Sequence, residues 1–316
     1  MIPLEQIVRA QATIAGTAVR TPLVRLWLDD APAEIYLKLE CLQPIGSFKI
    51  RGATNAMAEA PEAELARGVV TASAGNMAQG VAWGARARGL PCTVVVPDTA
   101  PQTKRAAIER LGARIVAVPF EEWWRAIEQS HHPGTEGYFV HPVLDDAVMA
   151  GNGTIGLEIL DDLPDVDAVL IPWGGGGLAC GISSALRQRR PGVRVIACEP
   201  ETGAPLAASL ASGISTGVDY RPSFVDGSGS RALLPKMWEL ARELIDEAVA
   251  VPLDATAAAV RLLAERTRVI AEGAGGLALA AALAGAGGGG KVVCIVSGGN
   301  VDAARLTAIL DGHTPA

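Results

Sequence analysis

The sequence lacks the features of disulfide-bonded, zinc-binding and membrane-spanning proteins. Its five cysteines are odd in number, far apart and never in a CxxC pair, which argues against a disulfide framework and a zinc site. The most apolar run, residues 274–290, has mostly small side chains and is shorter than the roughly 20 residues of a membrane span. The opening segment MIPLEQIVRAQATIAG lacks the basic and apolar regions of a signal peptide. We therefore expect a cytoplasmic protein with reduced, packed thiols.

The sequence also has no block of basic residues. Its 316 residues include 27 Lys and Arg against 34 Asp and Glu, a formal charge of −7, and the basic residues are scattered. This distribution argues against nucleic acid and anionic membranes as partners and leaves a small-molecule substrate. A chain of this length with 49% apolar residues can bury a large core, and a norm of about 150 residues per domain suggests two domains.

Short runs rich in valine and isoleucine alternate with segments of helical periodicity. This order is typical of parallel strands covered by helices on both faces, so we predict an α/β fold with two doubly wound lobes facing one cleft. We assign residues 46–145 to a small domain and residues 1–45 and 146–316 to a large, cofactor-binding domain. The strands expected in the small domain are 68–72, 93–97, 114–118 and 138–141, with helices at 76–88 and 102–111. The strands expected in the large domain are 35–40, 168–172, 194–198, 248–251 and 291–297.

The first segment with chemical interest is KLECLQPIGSFKIRGA, residues 38–53. Pro44 and Gly46 should end the preceding strand, Ser47 is a candidate cap for a new helix, and Lys49 then lies in its first turn. The partial positive charge of a helix N-terminus favours the neutral amine that condenses with an aldehyde. A lysine at such a position is more often only solvated, so this segment alone does not define a site.

Two further segments each run from a strand into a turn of small residues. In TASAGNMAQGVAW, residues 71–83, the helix start offers free backbone amides to a carboxylate or phosphate. In CIVSGGN, residues 294–300, Ser297 lies near the carboxyl end of a strand, where α/β folds place ligands. The structural alternative is an ordinary βα turn for the first segment and a helix cap for Ser297 in the second.

The most specific segment is AVLIPWGGGGLACG, residues 168–181, in which four glycines follow a buried strand. Such a run costs backbone entropy, which indicates that a ligand such as a phosphate approaches the backbone closely. Gly174, Gly176 and Ala179 also have a dinucleotide-type spacing, and Glu199 lies about 20 residues on, where a ribose-binding acid is expected. An NAD(P)-dependent oxidoreductase is therefore an alternative from another class.

Taken together and in this order, these four segments resemble the threonine dehydratase and serine racemase group of fold-type II pyridoxal-phosphate (PLP) enzymes, which share the fold of the tryptophan synthase β subunit. The segment HPVLDDAVMAGNGTIGLEIL, residues 141–160, is also similar to the group's own sequence. The resemblance implies that the cofactor lies in the cleft between the lobes and that Lys49 is its Schiff-base lysine.

The resemblance also implies the remaining cofactor contacts. Phe48 would pack on the cofactor ring, Asn76 would bond its phenolic oxygen, and Ser297 would face the pyridine nitrogen. The phosphate would lie on a loop formed by Gly174, Gly175, Gly176 and Gly177. In the segment SFVDGSGSR, residues 223–231, Gly227 would approach the cofactor and Ser230 the substrate.

The substrate carboxylate would bind the turn formed by Ser73, Ala74, Gly75, Asn76 and Met77. The freed Lys49 amine would then remove the Cα proton, and the β-hydroxyl would leave as water with a proton from the cofactor phosphate. Hydrolysis of the resulting aminoacrylate would give a 2-oxo acid and ammonia. The implied activity is that of a threonine or serine ammonia-lyase.

Several departures from the group's pattern qualify this expectation, and one is Asn152, where the group usually has glutamine. Ala74 replaces the serine that serves racemases as a second base, so efficient racemisation is not expected. Met77 replaces a usual histidine and suggests a larger or less polar β-substituent, as in phenylserine. Pro205 replaces the second acid of the divalent-metal site, so Glu199 by itself predicts no strong metal site. The carboxy-terminal regulatory domain of isoleucine-sensitive enzymes is not expected either.

Other readings stay open within this fold. They are a serine racemase with dehydratase side activity, a β-replacement enzyme such as a cysteine synthase, and a PLP-binding protein without catalysis. We expect a homodimer, because two-fold dimers are the commonest soluble oligomers.

Overall fold

The computed structural model describes all 316 residues, in ten strands and thirteen α-helices. The strands are β1 Leu23–Arg25, β2 Glu34–Lys38, β3 Val69–Ala72, β4 Cys92–Pro97, β5 Arg114–Val118, β6 Tyr138–Phe139, β7 Ala168–Pro172, β8 Arg194–Pro200, β9 Glu247–Val251 and β10 Lys291–Ile295. The helices are α1 Leu4–Thr13, α2 Lys49–Glu59, α3 Glu62–Leu65, α4 Asn76–Ala87, α5 Gln102–Arg110, α6 Phe120–Gln129, α7 Asp146–Asp162, α8 Gly177–Arg189, α9 Pro205–Ser212, α10 Pro235–Leu244, α11 Leu253–Leu262, α12 Gly273–Leu283 and α13 Ala303–Leu310.

The strands form two separate sheets, as the α/β prediction requires. The larger sheet has the order β1-β2-β10-β7-β8-β9, and the smaller has the order β5-β4-β3-β6. All pairs are parallel except β1 with β2. The fold prediction is therefore confirmed, and the nine expected strands are all present.

The larger sheet is buried on both faces. Val169 and Ile171 of β7 belong to a core under α1, α7, α8 and α10, whereas Ala168 and Leu170 belong to a core under α11 and α12. Burial on both faces explains why β7 is a continuous apolar run and does not alternate with polar residues. α12, which falls in the apolar run 274–290, has all but its last residue buried. No helix in the structure has both the length and the apolar character needed to cross a bilayer.

Some element ends differ from the prediction. β6 stops at Phe139 and β10 at Ile295, because the residues that follow turn into loops around the cleft. The antiparallel edge strand β1 was not expected, since three residues are too few to show a pattern. The sheets divide between chain segments as the domain assignment expects, with β3–β6 in residues 69–139; the boundaries at residues 45 and 145 stay a prediction.

α2 lies where the two lobes meet. It packs against α4 of the small sheet and against α7 of the large one. Its approach to α7 is so close that a Cβ on Gly151 would stand 2.5 Å from the Arg51 carbonyl oxygen. Only glycine fits there, which allows the two helices to pack this closely.

Candidate active site

A cavity of about 410 Å³ opens between the two sheets. Nearly all residues expected at the site line this one cavity: Phe48, Lys49, Ser73, Ala74, Gly75, Asn76, Met77, Gly174, Gly175, Gly176, Gly177, Gly227 and Ser297. Ser230 does not line it, because its loop turns away and the Ser230 hydroxyl donates to the carbonyl of Ala232 at 3.1 Å.

Lys49 is placed by contacts between the start of α2 and the end of β10. The Phe48 amide donates to the Ser297 carbonyl at 3.1 Å, and Ser47 forms a β-bridge with Gly298. The expected cap is wrong: α2 begins at Lys49 behind Phe48, and the Ser47 hydroxyl is buried without a partner. The β-bridge places Ser47 one residue before Phe48, which is the N-cap of α2, and the Ser47 hydroxyl does not cap the free amides of the helix.

The Lys49 amine has few partners and a low proton affinity. Its Nζ donates to the Pro142 carbonyl at 3.1 Å and lies 5.1 Å from the centre of the Phe48 ring. Burial lowers the pKa of Lys49 to about 8, although the charge of Glu272 acts in the opposite direction. A neutral amine, which is the nucleophilic form, is thus accessible near neutral pH.

The four glycines form a cradle at the start of α8. A Cβ on Gly175 would lie 2.4 Å from Val143, and one on Gly176 would lie 2.6 Å from Trp173, so neither position accepts a side chain. Gly176 also has a φ of +96°, which disfavours other residues. The first amides of α8 lack intrahelical acceptors and are available to an anion.

The opposite wall is the turn between β3 and α4. Here the Gly75 amide donates to the Ser73 hydroxyl at 3.2 Å, and α4 starts at Asn76. Met77 is buried in the hydrophobic core around the smaller sheet and presents only part of its side chain to the cavity.

Several residues of the site were not identified from the sequence. His141 accepts the amides of Val143 and Leu144 at its Nδ1, while its Nε2 donates to the Ile127 carbonyl. Burial lowers the pKa of His141 to about 4, so the ring is neutral. It shapes the loop that contacts both Lys49 and the glycine cradle.

Two acids and two aromatic residues also line the cavity unexpectedly: Asp226, Glu272, Phe120 and Trp123. A strand-to-helix motif is visible in a sequence, but single residues that distant loops and helices bring to the cavity are not. Only the apolar content of α6 gave a signal, and it is equally consistent with a packed core.

Glu199 is a structural residue here. Its carboxylate is buried and accepts the amides of Leu206 and Ala207 at 3.1 and 2.8 Å, at the start of α9. Burial raises its pKa to about 7. No group of three or more His, Cys, Asp or Glu side chains suited to a metal ion is present.

Comparisons with known proteins agree with this geometry. A family model described as pyridoxal-phosphate dependent enzyme matches residues 14–298. The L-threonine ammonia-lyase of Thermotoga maritima is 43% identical over 316 residues, which cover 98% of this chain and 79% of that one. The chain belongs to the pyridoxal-phosphate-dependent enzyme family.

Solved structures of this family have the same fold. Maize serine racemase superposes with a TM-score of 0.88 at 32% identity and covers 96% of this chain and 95% of its own. Threonine deaminase isoform 2 of Solanum lycopersicum also has a TM-score of 0.88, at 33% identity, with coverage of 98% and 92%. The resemblance to the threonine dehydratase and serine racemase group is confirmed. The alternative of an NAD(P)-dependent oxidoreductase is therefore wrong.

The residues present fit PLP. The glycine cradle excludes side chains where a phosphate would need backbone amides, and Lys49 offers a half-buried amine of lowered pKa in the same cavity. The Asn76 amide and the Ser297 hydroxyl provide polar groups on other walls of that cavity. The residues implied by the resemblance are thus brought together by the fold, with the exception of Ser230.

Proposed function

We propose that this protein is a PLP-dependent ammonia-lyase that eliminates water from L-threonine or L-serine, giving a 2-oxo acid and ammonia. The observation that carries the proposal is Lys49, a half-buried amine of lowered pKa in one cavity with the glycine cradle. The name of the Thermotoga relative, an L-threonine ammonia-lyase, points to the same reaction.

In this proposal the chain's own residues have separate tasks. PLP, when bound, supplies an electron sink that makes the substrate's Cα proton acidic. Gly174–Gly177 would hold its phosphate, with Asn76 and Ser297 at its other polar atoms. The turn Ser73–Met77 binds the substrate carboxylate through amides at the start of α4. Lys49 accepts the Cα proton and holds it at Nζ.

Ala74 favours the lyase over a racemase. Inverting Cα needs a second group that donates a proton from the face opposite Lys49, and an alanine methyl cannot do so. Ala74 lies in the Ser73–Met77 turn and lines the cavity. The racemase alternative therefore requires another donor on this wall.

A second candidate is a lyase for a bulkier β-hydroxy amino acid such as phenylserine. It is supported by the apolar wall that Met77, Phe120 and Trp123 contribute to the cavity. The rings of Phe120 and Trp123 lie 5.4 Å apart and form an aromatic surface. Aromatic rings add about 0.5–1.5 kcal/mol when they pair with another ring.

The test compares L-threonine, L-serine and L-phenylserine by measuring 2-oxo acid and ammonia from the purified holoenzyme. We expect a visible absorbance band from the bound cofactor that depends on Lys49, with turnover lost in Lys49→Ala. If threonine and serine clearly outrun phenylserine, the bulky-substrate candidate is wrong. If phenylserine is preferred, Trp123→Ala should reduce that preference while leaving the rate with serine nearly unchanged. A band without turnover of any substrate would contradict the lyase proposal.

We also propose that the protein is a cytoplasmic homodimer with a large domain of residues 1–45 and 146–316 and a small domain of residues 46–145. Support comes from the division of the two sheets and from the prevalence of two-fold dimers. Light scattering coupled to gel filtration would test the dimer, since a single peak at 32.5 kDa would exclude it.

A further inference from the structure

Glu272 faces the cavity from the end of the loop that leads into α12. Its Oε1 accepts the Asn76 Nδ2 at 2.9 Å, and the Asn76 Oδ1 accepts the Asn300 Nδ2 at 2.8 Å. Asn300 is itself held, because its Nδ2 also donates to the Ile45 carbonyl at 2.9 Å. The two partners fix which way the Asn76 amide points: the oxygen faces Asn300 and the nitrogen faces Glu272.

The Glu272 carboxyl lies in a space between two glycines. A Cβ on Gly298 would lie 2.6 Å from the Glu272 Oε1, and one on Gly227 would lie 3.3 Å from the same atom. The Glu272 amide donates to the Gly298 carbonyl at 3.0 Å. Two glycines of cavity-lining loops thus leave room for one buried acid between them.

The charges around Glu272 make it sensitive to pH. Burial raises its pKa to about 7 and the nearby charge of Asp226 acts in the same direction, whereas the bond from Asn76 and the charge of Lys104 lower it. The other titratable groups that face it are Lys49, whose pKa it raises, and Cys41, whose pKa burial and Glu272 raise to about 12.

We propose that Glu272 is a positioning residue that orients the Asn76 amide for contact with the cofactor and weakens its hold on Asn76 when it is protonated. One N–H of the Asn76 amide is taken by Glu272, which leaves the other for the cavity. An ionised carboxylate accepts this bond more strongly than a neutral one. The inference rests on the proposed function, because it takes the Asn76 contact with PLP from it.

The experiment is a titration of the visible absorbance of the holoenzyme between pH 5.5 and 9 without substrate. We expect a transition near pH 7 in the wild type and none in Glu272→Gln, which keeps the size of the side chain but cannot ionise. Asp226→Asn should move the transition to lower pH because it removes a like charge. Lys104→Gln should move it to higher pH because it removes an opposite charge.

Cofactor affinity gives a second readout that does not depend on turnover. Equilibrium dialysis of PLP should show an affinity about 5- to 20-fold weaker in Glu272→Ala, since the Asn76 amide loses its acceptor. Glu272→Gln, which offers a neutral amide oxygen in its place, should recover only part of the affinity, because it imitates the protonated form of Glu272. If Glu272→Ala does not fold, the affinities of Glu272→Gln and the wild type for PLP still test the role of Glu272.

The outcomes separate the two proposals. If the wild type shows no band with PLP, the proposed function fails and this inference fails with it. If the band forms but Glu272→Gln keeps a transition at any pH in the range, another group titrates and only the role of Glu272 is overturned.

Discussion

Lys49 and Arg51 are two positions apart on α2, yet Arg51 is fully buried, Lys49 is half-buried at the cavity, and their surroundings differ sharply. The Arg51 guanidinium is enclosed by acids: it bonds Glu40 at 2.8 Å and Glu158 at 2.6 Å. The Lys49 ammonium has only the Pro142 carbonyl as a direct partner. One cation is thus fully paired and the other is left to react.

The pKa shifts follow this difference. Burial lowers the pKa of Arg51, but the charges and hydrogen bonds of Glu40 and Glu158 outweigh it and raise the pKa overall. Burial likewise raises the pKa of Glu40, and the charge of Arg51 brings it below its ordinary value. Lys49 has no partner of this kind, so burial prevails and its pKa falls to about 8. The same helix therefore contains a structural cation and a candidate catalytic amine.

The largest effect on stability is expected from Arg51→Met. This change leaves Glu40 and Glu158 in the protein interior without their shared cation, and only Lys38 remains to pair with Glu158, at 2.6 Å. Breaking a buried pair in this way costs about 3–5 kcal/mol. The free energy of unfolding, measured by urea denaturation of the cofactor-free protein, should fall by that amount.

Arg51→Lys is the matched control. It keeps the positive charge but cannot donate to both acids from one planar group, so its stability should lie between those of the wild type and Arg51→Met. Equal stability of all three proteins would show that the cluster contributes nothing to folding.

Lys49→Met is expected to raise the free energy of unfolding, whereas Arg51→Met lowers it. At pH 7 folding must bury an ammonium whose pKa falls from 10.5 to about 8, so the variant without cofactor should be more stable by roughly 1–3 kcal/mol. Between pH 8 and 10.5 the unfolded wild type binds more protons than the folded one, so its stability rises with pH. The advantage of Lys49→Met should shrink over that range.

Lys236→Met is the control for this gain in stability, because Lys236 is 45% exposed and pairs with Asp146 at the surface. It should show no gain in stability over the wild type at pH 7, because it removes no cation from the cavity. An advantage of Lys49→Met that does not change with pH would mean that Lys49 is not buried as a cation.

The comparison also explains which parts of the site could be predicted from the sequence. Some site residues follow a strand or begin a helix, so a local sequence pattern predicts their positions. These are Lys49, Gly174–Gly177 and Ser297. Arg51 lies within the same quoted segment as Lys49, but its role depends on Glu158, which is far away in the chain. Glu272 was missed for the same reason, since its partner Asn76 belongs to the other lobe.

The smallest effect is expected where an ion pair is exposed. Arg242 and Glu239 lie one turn apart on α10 with an N–O distance of 3.1 Å and side chains 53% and 60% exposed. Water and salt screen such a pair, so Glu239→Gln should lower the free energy of unfolding by only about 0.2–0.5 kcal/mol. The difference should vanish in about 1 M NaCl, where the screening length falls to about 3 Å. The loss in Arg51→Met should persist in that salt, because water and ions do not reach the buried cluster. If both losses vanished together, burial would not be what separates the two kinds of ion pair.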